Sequence, residues 1–164
     1  MRDYVKQAVR TESPAFHRIG AWPFETVLAQ FVCAATDLDH VKKQVFYNKF
    51  PSMFQDGNAL EVDRRTQRLI HGILGIATEA GELVEALHKH LFQGEALDEV
   101  NLFEELGDVE WYEAILCDEF GFDEDHIKER NIAKLRKRFP DKFSEELAVN
   151  RDVEGERNEL AASS

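Results

Sequence analysis

Proline is scarce in this chain. Only four occur in 164 residues, at Pro14, Pro23, Pro51 and Pro140. None falls between Val62 and Phe139, so long helices are permitted across that stretch. The alternation of apolar and polar residues that marks half-buried strands is nearly absent. Cations are also short. There are 20 Lys and Arg against 32 Asp and Glu, a formal charge of −12. A domain this acidic has no excess of cations to displace the counterions on phosphates, which excludes a generic nucleic-acid binder. It is equally unsuited to an anionic membrane surface. No apolar run reaches the roughly 18 residues of a transmembrane helix. The opening Met1-Arg2-Asp3-Tyr4-Val5-Lys6 lacks the apolar stretch of a secretory signal, so a cytoplasmic protein is expected. Only two cysteines are present, Cys33 and Cys117. They lie far apart among apolar or helix-forming neighbours and read as reduced core thiols, with a disulfide the weaker reading. There is no glycine-rich phosphate loop and no His-Asp dipeptide.

The hydrophobic fraction, 43%, suffices for a core, and the length suits one domain. The expected fold class is all-α. Residues 1–20 read as a loose arm without periodicity. A first helix is expected from about Pro23, using Val27, Leu28, Phe31, Val32 and Ala35. A second, short one would be capped by Asp37 and hold Val41, Val45 and Phe46. Residues 51–58 carry turn chemistry in Asp56-Gly57-Asn58. A long helix is expected from about Val62 to Phe92, with the stripe Leu69, Ile73, Ile76, Ala80, Leu83 and Leu87, ended by Gln93-Gly94. The next runs from Asp98 to Phe120 on Leu102, Leu106, Val109 and Leu116, and Gly121 ends it. Another starts at Asp123 and stops at Phe139-Pro140. Ser144 would cap a last helix reaching Leu160, before a frayed tail from Ala161.

Two carboxylate pairs carry the chemistry. Glu79 and Glu82 stand in Thr78-Glu79-Ala80-Gly81-Glu82, and Glu105 and Asp108 in Glu104-Glu105-Leu106-Gly107-Asp108. Each pair has i, i+3 spacing, which places its members one helical turn apart on one side. Both pairs border the apolar stripes of their helices. Four carboxylates gathered at a helix–helix seam repel each other and suffer desolvation. A hard divalent cation relieves both, so Mg²⁺ is expected, or Mn²⁺. Gly81 and Gly107 each weaken a helix by about 1 kcal/mol relative to alanine, and each lets another backbone or a ligand approach. A single acidic pair would read as a solvated face; two such pairs together reverse that reading.

Asn131, Lys134 and Arg138 fall on one face of the helix after Asp123, an amide and two cations suited to a polyphosphate. Arg136 and Lys137 read as complements to the helix dipole. Tyr112 shares a face with Glu105 and Asp108 and would line the pocket, while Trp111 points elsewhere and reads as packing. A carboxylate-bound cation would reverse the local sign of an acidic protein and create an anion site.

These residues resemble the MazG-like nucleoside triphosphate pyrophosphohydrolases of the all-α NTP pyrophosphatase superfamily. The family pattern is ExxE, a spacer, then ExxD. Glu79-Ala-Gly-Glu82 is similar to the first half and Glu105-Leu-Gly-Asp108 to the second. Asn131-Ile-Ala-Lys134-Leu-Arg136-Lys-Arg138-Phe-Pro140 resembles a third block. The likeness covers about Arg68 to Asn150, and Ala148 to Asp152 and Lys42 to Lys49 look like phage-encoded members, which implies the host cytoplasm. Where many members open the first motif with two glutamates, this chain has Thr78. The resemblance implies a MazG-like helical bundle with an N-terminal helical extension (1–60), a catalytic core (61–143) and a C-terminal helix and tail (144–164). It implies Mg²⁺ held by Glu79, Glu82, Glu105 and Asp108, and triphosphate contacts from Asn131, Lys134 and Arg138. It also implies hydrolysis of (d)NTP to (d)NMP and pyrophosphate by a homodimer or homotetramer.

Two other classes fit less well. A ferritin-like di-iron site needs two Glu-x-x-His units. Glu85-Ala-Leu-His88 is one, but the other candidate, Asp123-Glu-Asp-His126, sits at a helix start. A non-catalytic acidic helical interaction protein would use the glutamates of the last helix, Glu145, Glu146, Glu154, Glu156 and Glu159. A solvated face explains those equally well.

Overall fold

The chain is known from a computed structural model, which describes residues 2–49, 57 and 59–161. Among these every regular element is helical: α1 (Arg2–Val9), α2 (Ala21–Tyr47), α3 (Arg64–His88), α4 (Glu99–Phe120), α5 (Glu124–Arg138), α6 (Glu145–Val149) and α7 (Val153–Ala161). Two compact units result. One holds α2, α3 and α4; the other holds α1, α5, α6 and α7. No helix among the described residues is long and apolar enough to cross a membrane.

In the first unit α3 lies between α2 and α4. Its start is set by Asp63, whose side chain accepts the backbone N–H of Thr66 at 2.7 Å. It passes into a π-helical turn, Lys89–Gln93, and stops at Gly94 in the left-handed region, φ 75°. Asp98 caps α4 by accepting from the N–H groups of Val100 and Asn101, and Gly121 ends it at φ 66°. The stops at Gly94 and Gly121 and the start at Asp98 are those expected from sequence. By contrast, α2 runs unbroken from Ala21 to Tyr47, so the two expected helices are one and Asp37 caps nothing. α2 packs along α3 on both sides of that point, through Ala35 against Gly81 and Lys42 against Thr78. The segment 51–58 lies outside the described residues except for Gly57.

The face that α3 buries differs from the expected stripe. Its buried residues are Gly72, Gly75, Thr78, Glu79 and Gly81. Ile73 is 55% exposed, Leu87 is exposed and the rest of the stripe is only half-buried. The reason is close approach. A Cβ at Gly75 would collide with the ring of Tyr112, one at Gly72 with Leu116, and one at Gly81 with Ala35 of α2. The small residues let both neighbours press against α3, and the aliphatic stripe is left half-covered. Leu106 and Phe103 of α4 are likewise exposed. Gly107, expected to admit a close approach, meets nothing within 4 Å. Cys117 is buried, but Cys33 is exposed, so only one of the two cysteines lies in the core.

In the second unit α5 packs against α1 and α7. The expected loose arm is therefore partly helical: Tyr4 of α1 has its hydroxyl 2.8 Å from Asn131 Nδ2, which donates to it, and Arg136 donates to Gln7. Asp123 caps α5 by accepting the N–H of His126. Ser144 caps α6 as expected, but the last helix is broken. The chain leaves α6 at Asn150, and Asp152 starts α7 by accepting the N–H of Gly155 at 2.9 Å. The break brings Arg151 alongside Glu156, which also takes a two-pronged contact from Arg138. Glu156 is 2% exposed, and these two guanidinium groups hold its carboxyl down at about 2.

Candidate metal centre

The i, i+3 spacing does bring carboxylates from α3 and α4 together. One carboxylate oxygen each from Glu79, Glu105 and Asp108 all lie within 4.8 Å of one another. Glu79 and Glu105 are buried, whereas Asp108 is exposed and forms the open side of the cluster. Glu82 stands beside this triad: it is hydrogen-bonded to Glu105 and feels the charge of Glu79. It also lines two clefts. One, of about 220 Å³, lies against α2 with Asp39, Thr78 and Gly81; the other, of about 280 Å³, reaches Asn101 at the start of α4.

Crowding is visible in the proton affinities. Burial, then the charge of Glu82, pushes Glu105 up to about 7. Glu82 reaches the surface, but partial desolvation and the neighbouring Glu79 raise it as well. Asn101 Nδ2 donates to Glu105 at 2.7 Å, which offsets only part of this. The donor set is all oxygen, three to four carboxylates, hard and of one charge sign. That set suits a small divalent cation such as Mg²⁺ or Mn²⁺ better than a soft metal.

The third contributor comes from α2, and no motif in the sequence marks it. Lys42 is 4% exposed. Its Nζ lies 2.8 Å from Glu79 Oε1, 2.7 Å from Thr78 Oγ1 and 3.4 Å from Asp39 Oδ1. It also stands 5.0 Å over the ring of Tyr112. Burial alone would lower the lysine, but hydrogen bonds to Glu79 and Tyr112 outweigh it and hold the ammonium above the usual lysine range. Thr78 is 1% exposed, and its hydroxyl also lies 2.9 Å from the carbonyl of Gly75 and 3.1 Å from Glu79 Oε1. A weaker signal for Lys42 was present in the sequence. Ala35, Asp39, Lys42 and Phe46 recur at steps of four, three and four, so charged residues occupy the inward register of α2.

The remaining expected site residues fall in two places. Tyr112 faces α3 and is 5% exposed. Burial pushes its hydroxyl up to about 12, and it bridges Lys42 to Tyr47. Trp111 is half-exposed and meets Tyr112 and His71 edge-on, as a packing residue. Asn131, Lys134 and Arg138 are on α5 of the other unit. There Asn131 is tied to Tyr4 and Arg138 to Glu156.

Comparison with known proteins bears on the family of this segment. The family model for the MazG nucleotide pyrophosphohydrolase domain matches residues 67–143, which include all four carboxylates and the face of α5. No curated protein and no solved structure matches the chain. Residues 67–143, the segment that carries Glu79, Glu82, Glu105 and Asp108, are thus identified as a domain of the MazG nucleotide pyrophosphohydrolase family.

Proposed function

We propose that this protein is a Mg²⁺-dependent pyrophosphohydrolase that converts (d)NTP to (d)NMP and pyrophosphate in the cytoplasm. The observation that carries the reading is the convergence of Glu79, Glu105 and Asp108 within 4.8 Å, with Glu82 adjoining, inside the matched segment. These four carboxylates would hold the ion, Mg²⁺ or Mn²⁺. Such an ion, when bound, supplies positive charge to the phosphoryl oxygens and polarises the group under attack. The chain's own residues do the rest. Asn131, Lys134 and Arg138 contact the triphosphate, and Tyr112 supports the α4 side of the pocket. In the reaction water adds to one phosphorus, one P–O bond forms, the phosphoanhydride P–O bond breaks and pyrophosphate leaves. The proton lost by water passes to a carboxylate of the centre.

The working protein is proposed to be a homodimer or homotetramer. Exposed apolar residues on α3 and α4, among them Ile73, Phe103 and Leu106, support this. Light scattering on a sizing column reads it directly, and a strictly monomeric species contradicts it. Activity is tested by measuring phosphate, pyrophosphate and nucleoside monophosphate from the eight common NTPs and dNTPs, plus dUTP, with Mg²⁺ and with EDTA. Pyrophosphate and monophosphate in equal amounts, abolished by EDTA, is the expected result. A partner-binding protein with no turnover would give neither product.

A further inference from the structure

We propose that Lys42 is a positioning residue of the carboxylate centre: its ammonium fixes the Glu79 carboxylate in the orientation that faces Glu105 and Asp108. The inference rests on the metal-centre reading above. A buried lysine is costly unless its donors are satisfied, and here every neighbour belongs to the site. Its three protons have Glu79 Oε1 at 2.8 Å, Thr78 Oγ1 at 2.7 Å and Asp39 Oδ1 at 3.4 Å for partners. The Tyr112 ring lies beneath it at 5.0 Å. Glu79 is thus gripped on one side by α2 and hydrogen-bonded on the other to Glu105. Asp39 is itself steadied by Lys43, so the grip belongs to a network on α2 and not to one flexible side chain. Thr78 completes it. Its hydroxyl takes the ammonium at 2.7 Å and itself reaches the carbonyl of Gly75, so it fixes the lysine without adding a charge that competes with Glu79.

Two roles for such a lysine predict opposite signs. A mere counter-charge repels a nearby divalent ion, so its removal should tighten metal binding. A positioning cation pre-arranges a ligand, so its removal should weaken binding although a repulsive charge is lost. The experiment is Mn²⁺ titration, followed by electron paramagnetic resonance, of the full chain without nucleotide. Wild type is compared with Lys42→Met and Thr78→Val. Circular dichroism in EDTA checks each fold. The expected result is Mn²⁺ binding weakened at least tenfold in K42M and about threefold in T78V, at wild-type helicity. The Mg²⁺ needed for half-maximal turnover should rise in parallel, with kcat recovered at saturating Mg²⁺. Unchanged or tighter Mn²⁺ binding in K42M overturns the inference while leaving the metal centre intact. If K42M loses its helicity, T78V decides: unchanged Mn²⁺ affinity there overturns the inference, and a weaker one supports it. A wild type that binds no Mn²⁺ overturns both this and the underlying reading.

Discussion

The ring of Tyr112 on α4 occupies the space that a side chain on Gly75 of α3 would fill. The ring is rigid and cannot yield as the tip of a flexible chain would. Gly75→Ala should therefore overpack the α3–α4 seam by more than the roughly 1 kcal/mol of helix propensity it gains, for a net loss of about 1–2 kcal/mol. Gly107 is the control on the partner helix, where an added Cβ would meet nothing within 4 Å. Gly107→Ala should raise stability by up to about 1 kcal/mol. Urea denaturation of the two variants reads the contrast, and equal effects would contradict the packing described.

The carboxylates are expected to act as a set. Glu82→Gln and Asp108→Asn each remove a charge at an exposed position without opening a cavity. Each should lower pyrophosphate release at least about a hundredfold, the order seen when one charge-stabilising group is lost from an active site. Helicity should be unchanged. Loss of activity with loss of helicity would instead mark these residues as structural.

Glu105 sets a pH dependence. Its carboxyl, raised by burial to about 7, binds a proton in the folded state that an ordinary carboxylate has lost. A raised acid stabilises the metal-free fold most below its unfolded value, near 4.5, and that contribution is lost as pH rises through about 7. A divalent ion needs the carboxylate deprotonated, so metal binding should strengthen as pH rises to about 7 and release a proton below it. Calorimetric titration of Mn²⁺ in buffers of different ionisation enthalpy measures that proton. Glu105→Gln should abolish the proton release; a release that persists would move it to another group.

Glu156 predicts the reverse slope. Its carboxyl is held at about 2 by Arg138 and Arg151, so its stabilising contribution is present above the unfolded value and is lost as pH falls toward 2. Glu156→Ala leaves Arg138 without its partner and should cost about 2–3 kcal/mol at neutral pH. Acid unfolding of the variant should also be shallower than that of wild type. An unchanged melting temperature would show that the Arg138–Glu156 contact contributes nothing.

Much of the fold could be read from local chemistry. Asp98, Asp123 and Ser144 act as caps, and Gly94 and Gly121 as stops, because these are decided within one helical turn. The carboxylate pairs were legible for the same reason: i, i+3 spacing is a property of one helix. What failed depends on neighbours. Asp37 looks like a cap until α3 is packed along α2. The aliphatic stripe of α3 looks like its buried face until Tyr112 and Ala35 are found on the glycines. Lys42 carries no motif at all, and only its register on α2 places it inside.

The central claim is that Glu79, Glu82, Glu105 and Asp108 bind a divalent ion. Electron paramagnetic resonance of Mn²⁺ titrated into wild type and into an Asp108→Asn, Glu105→Gln double variant tests it most directly. Saturable binding by wild type, displaced by Mg²⁺ and lost in the folded double variant, is the predicted result. Identical titrations of the two proteins would contradict it.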